Sequence, residues 1–380
     1  MATKIFSWIK QEIVFVISFL LSFVSSLVAV AQKNSIDFLQ AIDFRVLAIL
    51  LSLMLVVLGF QNLGVFSFCA DKLCSKVKNL RQLSLTLILL CFFSSMLITN
   101  DVALITFVPF AILILVQTQN IKYCAFIVVM QTIAANLGSI LTPLGNPQNL
   151  FLFSKMQISL FDFIKILFPY CLISFIFILI FNLFIPKNKI QQINLENEDA
   201  KSFSKKDIKD ILLFSILFIL CLLSVLNLIP YYIVLAIVFL SVGIYNKKLL
   251  LQADYILLLT FVCFFIFTHN ISNFTSIKTL LENLVDKKEF LISLITSQFI
   301  SNVPSALLLE PFSKNLTKLL LGVNIGGLGT LVASLASLIS FKIYSKEKIL
   351  SGKNFFITFT LLNLIFIFIL LLSYFVLEKL

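Results

Sequence analysis

Two short polar clusters interrupt an otherwise apolar chain, Thr99-Asn100-Asp101 and Ser301-Asn302-Val303-Pro304. Each is followed by a second polar stretch, NLGSILTPLGNPQNL from Asn136 to Leu150 and NIGGLGT from Asn324 to Thr330. Amides, hydroxyls and glycine-exposed backbone offer donors and acceptors without fixed charge. That equipment suits the reversible holding of an ion or small polar solute. Backbone N–H groups at half-helix N-termini supply donors and a positive dipole end for an anion. Carbonyls freed where helices unwind supply oxygens for a coupling cation. The solute-binding candidates are therefore Thr99, Asn100, Thr142, Pro143, Asn146, Ser301, Asn302 and Thr330. The candidates for cation or proton coupling are Asp101, Asn136, Gly138, Gly145, Asn324 and Gly326.

Each of these residue types has a plainer use. Glycines also let two helices approach closely, and asparagines can be hydrogen-bonding glue between helices. Asp101 is the one acid near the membrane centre if its cluster lies at mid-depth. It could carry a proton, bind a cation, or cap the helix that follows. His269, Asn270, Asp43 and Arg45 sit at predicted span ends and read as interfacial.

Enzymatic chemistry finds little support. The seven cysteines, Cys69, Cys74, Cys91, Cys124, Cys171, Cys221 and Cys263, form no C-x-x-C pair, and His269 is the single histidine. A metal centre is not expected, and scattered free cysteines behave as small apolar residues. GGLG lacks the following Lys-Ser/Thr of a phosphate-binding loop, so ATP-driven pumping by this chain alone is not expected. No cofactor is expected beyond a coupling Na+ or H+.

The elements that position these residues must be membrane spans. The chain is 60% hydrophobic and 12% charged, with mean hydropathy +1.08, whereas soluble domains carry about 25% charged residues. Apolar runs predict spans at 13–31, 44–70, 161–185, 211–228, 231–245, 255–268 and 355–376. The run 13–31 is too long for a signal-peptide core and reads as a retained span. The stretches 121–150 and 319–341 predict broken spans, since Pro, Gly, Asn and Gln at such density cannot continue a helix in lipid. The stretch 83–118 fits either two spans with Thr99-Asn100-Asp101 in a surface turn or a re-entrant hairpin with the triplet at mid-membrane. Its arms are short for a crossing of ~20 residues and a matching feature recurs at 290–309, so the hairpin reading is favoured for both. The fold expected is an all-α polytopic membrane protein with about nine full spans, two re-entrant hairpins and two discontinuous helices.

An internal repeat organises these pieces. Asn136 to Thr142 and Asn324 to Thr330 both read N-x-G-x-x-x-T, and each follows a hairpin carrying a hydroxyl residue and an asparagine. Residues 1–185 form the first repeat, 186–210 a cytoplasmic connector, 211–228 a linking span and 229–380 the second repeat. An odd linking span inverts the second unit, an arrangement of many secondary transporters. With the N-terminus inside, Lys4, Lys10, the four basic residues of 72–81, Lys122, the six lysines of the connector, Lys247, Lys248, Lys342, Lys346, Lys348 and Lys353 face the cytoplasm. These are 19 of the 29 Lys and Arg, in keeping with the positive-inside rule. The C-terminus then lies outside, the first hairpin enters from the cytoplasm and the second from outside.

TPLGNPQNL, from Thr142 to Leu150, resembles a signature of the ion transporter superfamily of citrate transporters, divalent anion:sodium symporters and arsenite permeases. ITNDVALITFVPF (from Ile98) and SNVPSALLL (from Ser301) resemble its paired hairpin motifs. The resemblance runs from about Phe44 to Phe375. It implies a homodimer in the lipid bilayer of the inner (plasma) membrane, with a scaffold, a moving transport part and elevator-type alternating access. The symporters read Ser-Asn-Thr at both hairpin tips; here the hydroxyl and amide match, while Asp101 and Val303 depart. The function expected is secondary active transport of a small anion, citrate or a dicarboxylate or an oxyanion such as arsenite or sulfate, coupled to Na+ or H+. A cation/proton antiporter using Asp101 is the alternative within transport. A non-transporting receptor or scaffold is the alternative of another class. No nucleic-acid partner is expected.

Overall fold

A computed structural model describes residues 12–31, 38–190, 203–347 and 350–379. Lys4, Lys10, Lys201, Lys348 and residues 191–202 of the connector lie outside the described residues. Among those described, the regular elements are helices, joined by an isolated bridge between Asn79 and Lys189. Among the described residues eight helices are long and apolar enough to cross a bilayer, and Leu80–Ser94, Tyr231–Tyr245, Glu289–Ile300 and Leu316–Gly326 are shorter apolar helices. The protein is an all-α, multi-pass membrane protein.

Among the described residues the first helices are α1 (Ile13–Ala31), α2 (Phe44–Leu63) and α3 (Val65–Cys74), with a single turn, Phe38–Ala41, before α2. The span expected over 44–70 thus divides at Gly64. This glycine takes the left-handed conformation (φ 75°), and its N–H bonds the carbonyls of Gln61 and Phe60, which closes α2 with a C-cap that side chains rarely permit. The first hairpin is α4 (Leu80–Ser94) and α5 (Asn100–Gln117), and the first broken span is α6 (Cys124–Ser139) and α7 (Pro147–Met156). Then come α8 (Leu160–Asn182), the linking α9 (Lys205–Val225), α10 (Tyr231–Tyr245), the short α11 (Lys247–Gln252), α12 (Tyr255–Ser272) and α13 (Thr275–Val285). The second hairpin is α14 (Glu289–Ile300) and α15 (Asn302–Leu309). The second broken span is α16 (Leu316–Gly326) and α17 (Leu335–Lys346), and α18 (Gly352–Leu377) closes the chain.

Packing is crosswise. α1 lies against α12, and α2 against α10. Within each half the first hairpin arm packs on the first half of the broken span, α4 on α6 and α14 on α16. Between halves the returning arm packs on the other's second half, α5 on α17 and α15 on α7. α1 shows how a uniformly apolar helix chooses its face. Ser18, Ser22, Ser25 and Ala29 are buried, while Phe19, Leu20, Phe23, Val24, Leu27 and Val30 are exposed. Lipid is as apolar as leucine, so the small residues that permit close approach take the protein side.

Asn270 is not interfacial as expected. It is buried and donates to the hydroxyls of Ser25 (3.1 Å) and Ser26 (3.0 Å). These contacts near the C-terminal ends of both helices make α1 and α12 parallel neighbours. By contrast, Asn136–Ser337 and Thr132–Ser340 contacts pair rising numbers on one helix with falling numbers on the other. α6 and α17 therefore run antiparallel.

Candidate functional site

The two breaks and two hairpin tips form one hydrogen-bonded centre, and its two halves repeat each other. At each tip the asparagine's backbone N–H donates to the unwound segment of its own half: Asn100 to the Gly145 carbonyl and Asn302 to the Ala333 carbonyl, both at 3.0 Å. Each side-chain oxygen turns back on the next residue, Asn100 Oδ1 accepting from Asp101 N and Asn302 Oδ1 from Val303 N, again 3.0 Å each. The threonines of the repeated motif act alike. Thr142 donates to the carbonyl of Met96 and accepts from Gly145 N; Thr330 donates to the carbonyl of Gln298 and accepts from Ala333 N. In both halves the hydroxyl ties the end of the first hairpin arm to the break and caps the loop three residues on.

The motif's asparagines reach across. Asn136 Oδ1 accepts from Ser334 Oγ (3.0 Å), and its Nδ2 donates to Ser337 Oγ (3.5 Å). Asn324 Oδ1 accepts from Asn146 Nδ2 (3.3 Å), and its Nδ2 donates to Asn149 Oδ1 (2.7 Å). Counted from each motif, Asn146 and Asn149 occupy the positions of Ser334 and Ser337. The cross-links correspond, but one set uses amides and the other hydroxyls. A further bond, Asn100 Nδ2 to Asn136 Oδ1 (2.9 Å), brings the first tip into the hydroxyl set.

The glycines lie where backbones meet. A Cβ on Gly138 would stand 2.1 Å from the Phe92 carbonyl oxygen, and one on Gly326 would stand 2.9 Å from Ser297 Cβ. Both face the first arm of their own hairpin, so close helix packing is their visible role. Gly145 is similar, its added Cβ falling 2.1 Å from the Ser139 carbonyl oxygen. Pro143 is buried in the first break, and Pro147 opens α7 behind its N-cap Asn146, where a missing N–H costs nothing.

Breaking a helix in a membrane frees backbone groups that must find partners, and the two breaks solve this differently. In the first, fully buried Asn149 donates from Nδ2 to the carbonyls of Ser139, Ile140 and Thr142. In the second, Gln298 Nε2 donates to the carbonyls of Gly326 (2.8 Å) and Leu328 (3.0 Å), and its Oε1 accepts from Thr330 N. Asn363 of α18 adds an acceptor for Gly329 N. Asn149, Gln298, Ser334, Ser337 and Asn363 were not among the sequence candidates. Asn149 lies inside the quoted TPLGNPQNL stretch, and aligning the two motifs onward by position finds Ser334 and Ser337. Gln298 and Asn363 carry no such signal.

The hairpin tips differ in backbone as well. Thr99 is the N-cap of α5 but makes no side-chain cap bond. Asp101 sits in that helix's first turn, where a negative charge faces the positive end of the dipole, and its Oδ1 is buried without a hydrogen-bond partner. Ser301 joins α14 to α15 as a single residue at φ 77°, ψ 155°. That region is populated almost only by glycine, and a side chain there costs about 1–3 kcal/mol. Thr330 is exposed and its hydroxyl is committed to Gln298 and Ala333. It ties the structure together more than it presents a group to a solute. None of the side chains bonded into this centre is basic.

A family model described as citrate transporter matches residues 3–319. An uncharacterized transporter of Methanocaldococcus jannaschii is 32% identical over 82% of this chain and 84% of its own length. Inner membrane protein YbiR of Escherichia coli K12 is 28% identical over 81% of this chain and 82% of its own. A silicon efflux transporter of Oryza sativa subsp. japonica is 30% identical over a shorter stretch, 35% of this chain and 27% of its own.

Proposed function

The chain belongs to the citrate transporter family, a family of transporters rather than enzymes, and from that premise we propose that it is a secondary active transporter of a small oxyanion or its protonated, uncharged form. The observation that carries this reading is the make-up of the centre: amides, hydroxyls and backbone, no basic side chain, and the carboxyl of Asp101 at one tip. A citrate or dicarboxylate carries two or three charges, and neutral donors beside a carboxylate answer these poorly. A small, weakly acidic polyhydroxy species donates and accepts at once, as the amide–hydroxyl lattice does. The relative named as a silicon efflux transporter is in keeping with such a solute.

In this reading Asn100, Asn146, Ser301 and Asn302, with Thr99, Thr142 and Pro143 around them, form the solute side. Asp101, Asn136 and Asn324 carry the coupling ion, Na+ or H+. Residues 1–185 and 229–380 act as inverted repeats joined by 186–210 and 211–228. Each solute entry exchanges cross-links between halves for bonds to the solute, which links binding to movement of one body against the other. The protein works as a homodimer in the inner membrane, N-terminus in the cytoplasm and C-terminus outside.

The buried, unpartnered oxygen of Asp101 favours one second reading, a cation/proton antiporter. Uptake into proteoliposomes separates the two. Arsenite, silicic acid, sulfate, citrate and succinate are offered under imposed Na+ or H+ gradients, with Asn302→Ala and Asp101→Asn as variants. Accumulation of arsenite or silicic acid, lost in Asn302→Ala, supports the proposal; accumulation of citrate or succinate alone overturns its solute class. Sodium movement driven by a proton gradient, with no anion flux and loss in Asp101→Asn, replaces it with the antiporter.

A further inference from the structure

α2 lies between two groups of helices. On one side it packs extensively with α9 and α10; on the other it meets α7 of the first broken span more lightly. Two polar ties cross this lighter boundary, one near each end of α2. Gln61 Nε2 donates to Thr106 Oγ1 of α5 (3.2 Å), and Asp43, just before α2, forms an ion pair with Lys155 near the end of α7 at 3.0 Å. The other described ion pairs lie elsewhere, and this one joins α2 to the hydrogen-bonded centre.

The pair is built into its surroundings. Asp43 also accepts from Val46 N as the N-cap of α2, so its carboxylate is fixed to that helix. Lys155 runs over the Phe151 ring, its Nζ 5.5 Å from the centroid, and belongs to α7, whose first turn carries Asn146 and Asn149. A second carboxylate stands close by. Glu310 opens the short 3-10 turn directly after α15. Burial holds its carboxyl above the ordinary range, with the charge of Lys155 opposing that effect and Asp43 adding to it. Lys155 is thus paired with an acid anchored on α2, while α15, which packs on Lys155's own helix α7, leads directly into a second acid, Glu310.

We propose that Lys155 is the movable member of a latch: paired with Asp43 in the conformation described, it passes to Glu310 when the breaks and hairpins shift along α2. The latch rests on the transporter reading, because it requires two bodies that move. It predicts opposite effects for the two acids. Removing Asp43 frees Lys155 and disfavours the described conformation. Removing Glu310 deletes the competing partner and favours it.

The test reads conformation without requiring a known solute. In full-length protein with the seven cysteines replaced, a Ser301→Cys reporter at the second hairpin tip is labelled in membrane vesicles by an impermeant maleimide. Asp43→Asn and Lys155→Gln are expected to change the labelling rate in the same direction, by up to about fivefold, the upper end for a partly exposed ion pair. Glu310→Gln, which deletes the competing partner, should change it in the opposite direction. If the reporter is labelled at one rate in all variants, the latch is overturned and the transporter reading stands. If correctly folded protein is labelled from neither side in any variant, the moving-body reading falls with it.

Discussion

Substituting Gly138 by alanine tests the packing that holds the first hairpin to the first break. The added Cβ would lie 2.1 Å from the Phe92 carbonyl oxygen and 2.7 Å from Ser95 Oγ, where ordinary contact begins at 3.4 Å. The hydroxyl of Ser95 can rotate, but the carbonyl is α4 backbone and moves only with its helix. α4 must withdraw by about 1.3 Å, the difference between those distances. Overpacking of this kind costs roughly 1–3 kcal/mol. The displacement also loads the Met96–Thr142 and Asn100–Asn136 bonds, which span the same seam. Gly326→Ala is the milder case, since its Cβ meets Ser297 Cβ at 2.9 Å, and Gly243→Ala is the control, with its nearest neighbour at 3.5 Å. Thermal midpoints of the purified protein, read by loss of the monodisperse chromatographic peak, should fall in the order Gly138→Ala, then Gly326→Ala, with Gly243→Ala unchanged. A fall of a few degrees is expected for Gly138→Ala, because one kcal/mol moves the midpoint by about 2–4 °C even in smaller chains. Equal midpoints for Gly138→Ala and Gly243→Ala would refute the close contact from which the argument starts.

Other substitutions probe the same centre. Ser301→Gly relieves the strained tip and should raise the thermal midpoint, by up to about 1–3 kcal/mol of stability, while uptake falls with loss of the hydroxyl; a lower midpoint would show that the tip is unstrained. Asn149→Ala removes the donor that the Ser139 and Ile140 carbonyls share with that of Thr142, and the acceptor for one hydrogen of the Asn324 amide, whose other bond goes to the Leu320 carbonyl. At about 1–3 kcal/mol for an unsatisfied buried group, it should abolish the folded peak, and normal yield would argue against its bracing role. Lys318 and Tyr374 hydrogen-bond Glu378 and hold its carboxyl below the ordinary glutamate range. That stability is present above the unfolded-state pKa and is lost as pH falls through the lower folded-state value. Glu378 is largely exposed, so the effect should stay below about 1 kcal/mol, and Glu378→Gln should flatten the acid limb of midpoint against pH.

The sequence by itself determined the class of the molecule and the place of its breaks. Gly, Pro and Asn inside apolar runs have local consequences, and Asn136 to Leu150 unwinds where those residues require it. The repeated N-x-G-x-x-x-T was also legible, and each of its three residues meets the corresponding positions in both halves, though through different groups. Gly64 is not read as a break from sequence, and the expected span runs through it to Ala70.

Tertiary structure alone decided which groups the motif residues touch. Asn136 pairs with Ser334 and Ser337, and Asn324 with Asn146 and Asn149, across nearly half the chain. No local preference encodes such partners. It also decided which face of each span is inside. Phe161 is 75% exposed while Phe163 is fully buried, yet both are phenylalanines in one apolar run. In water the solvent separates inner from outer residues and leaves a periodic mark in the sequence. In a bilayer lipid and protein core are equally apolar, so the pattern fades, and the choice passes to small residues and buried amides whose partners lie on other helices.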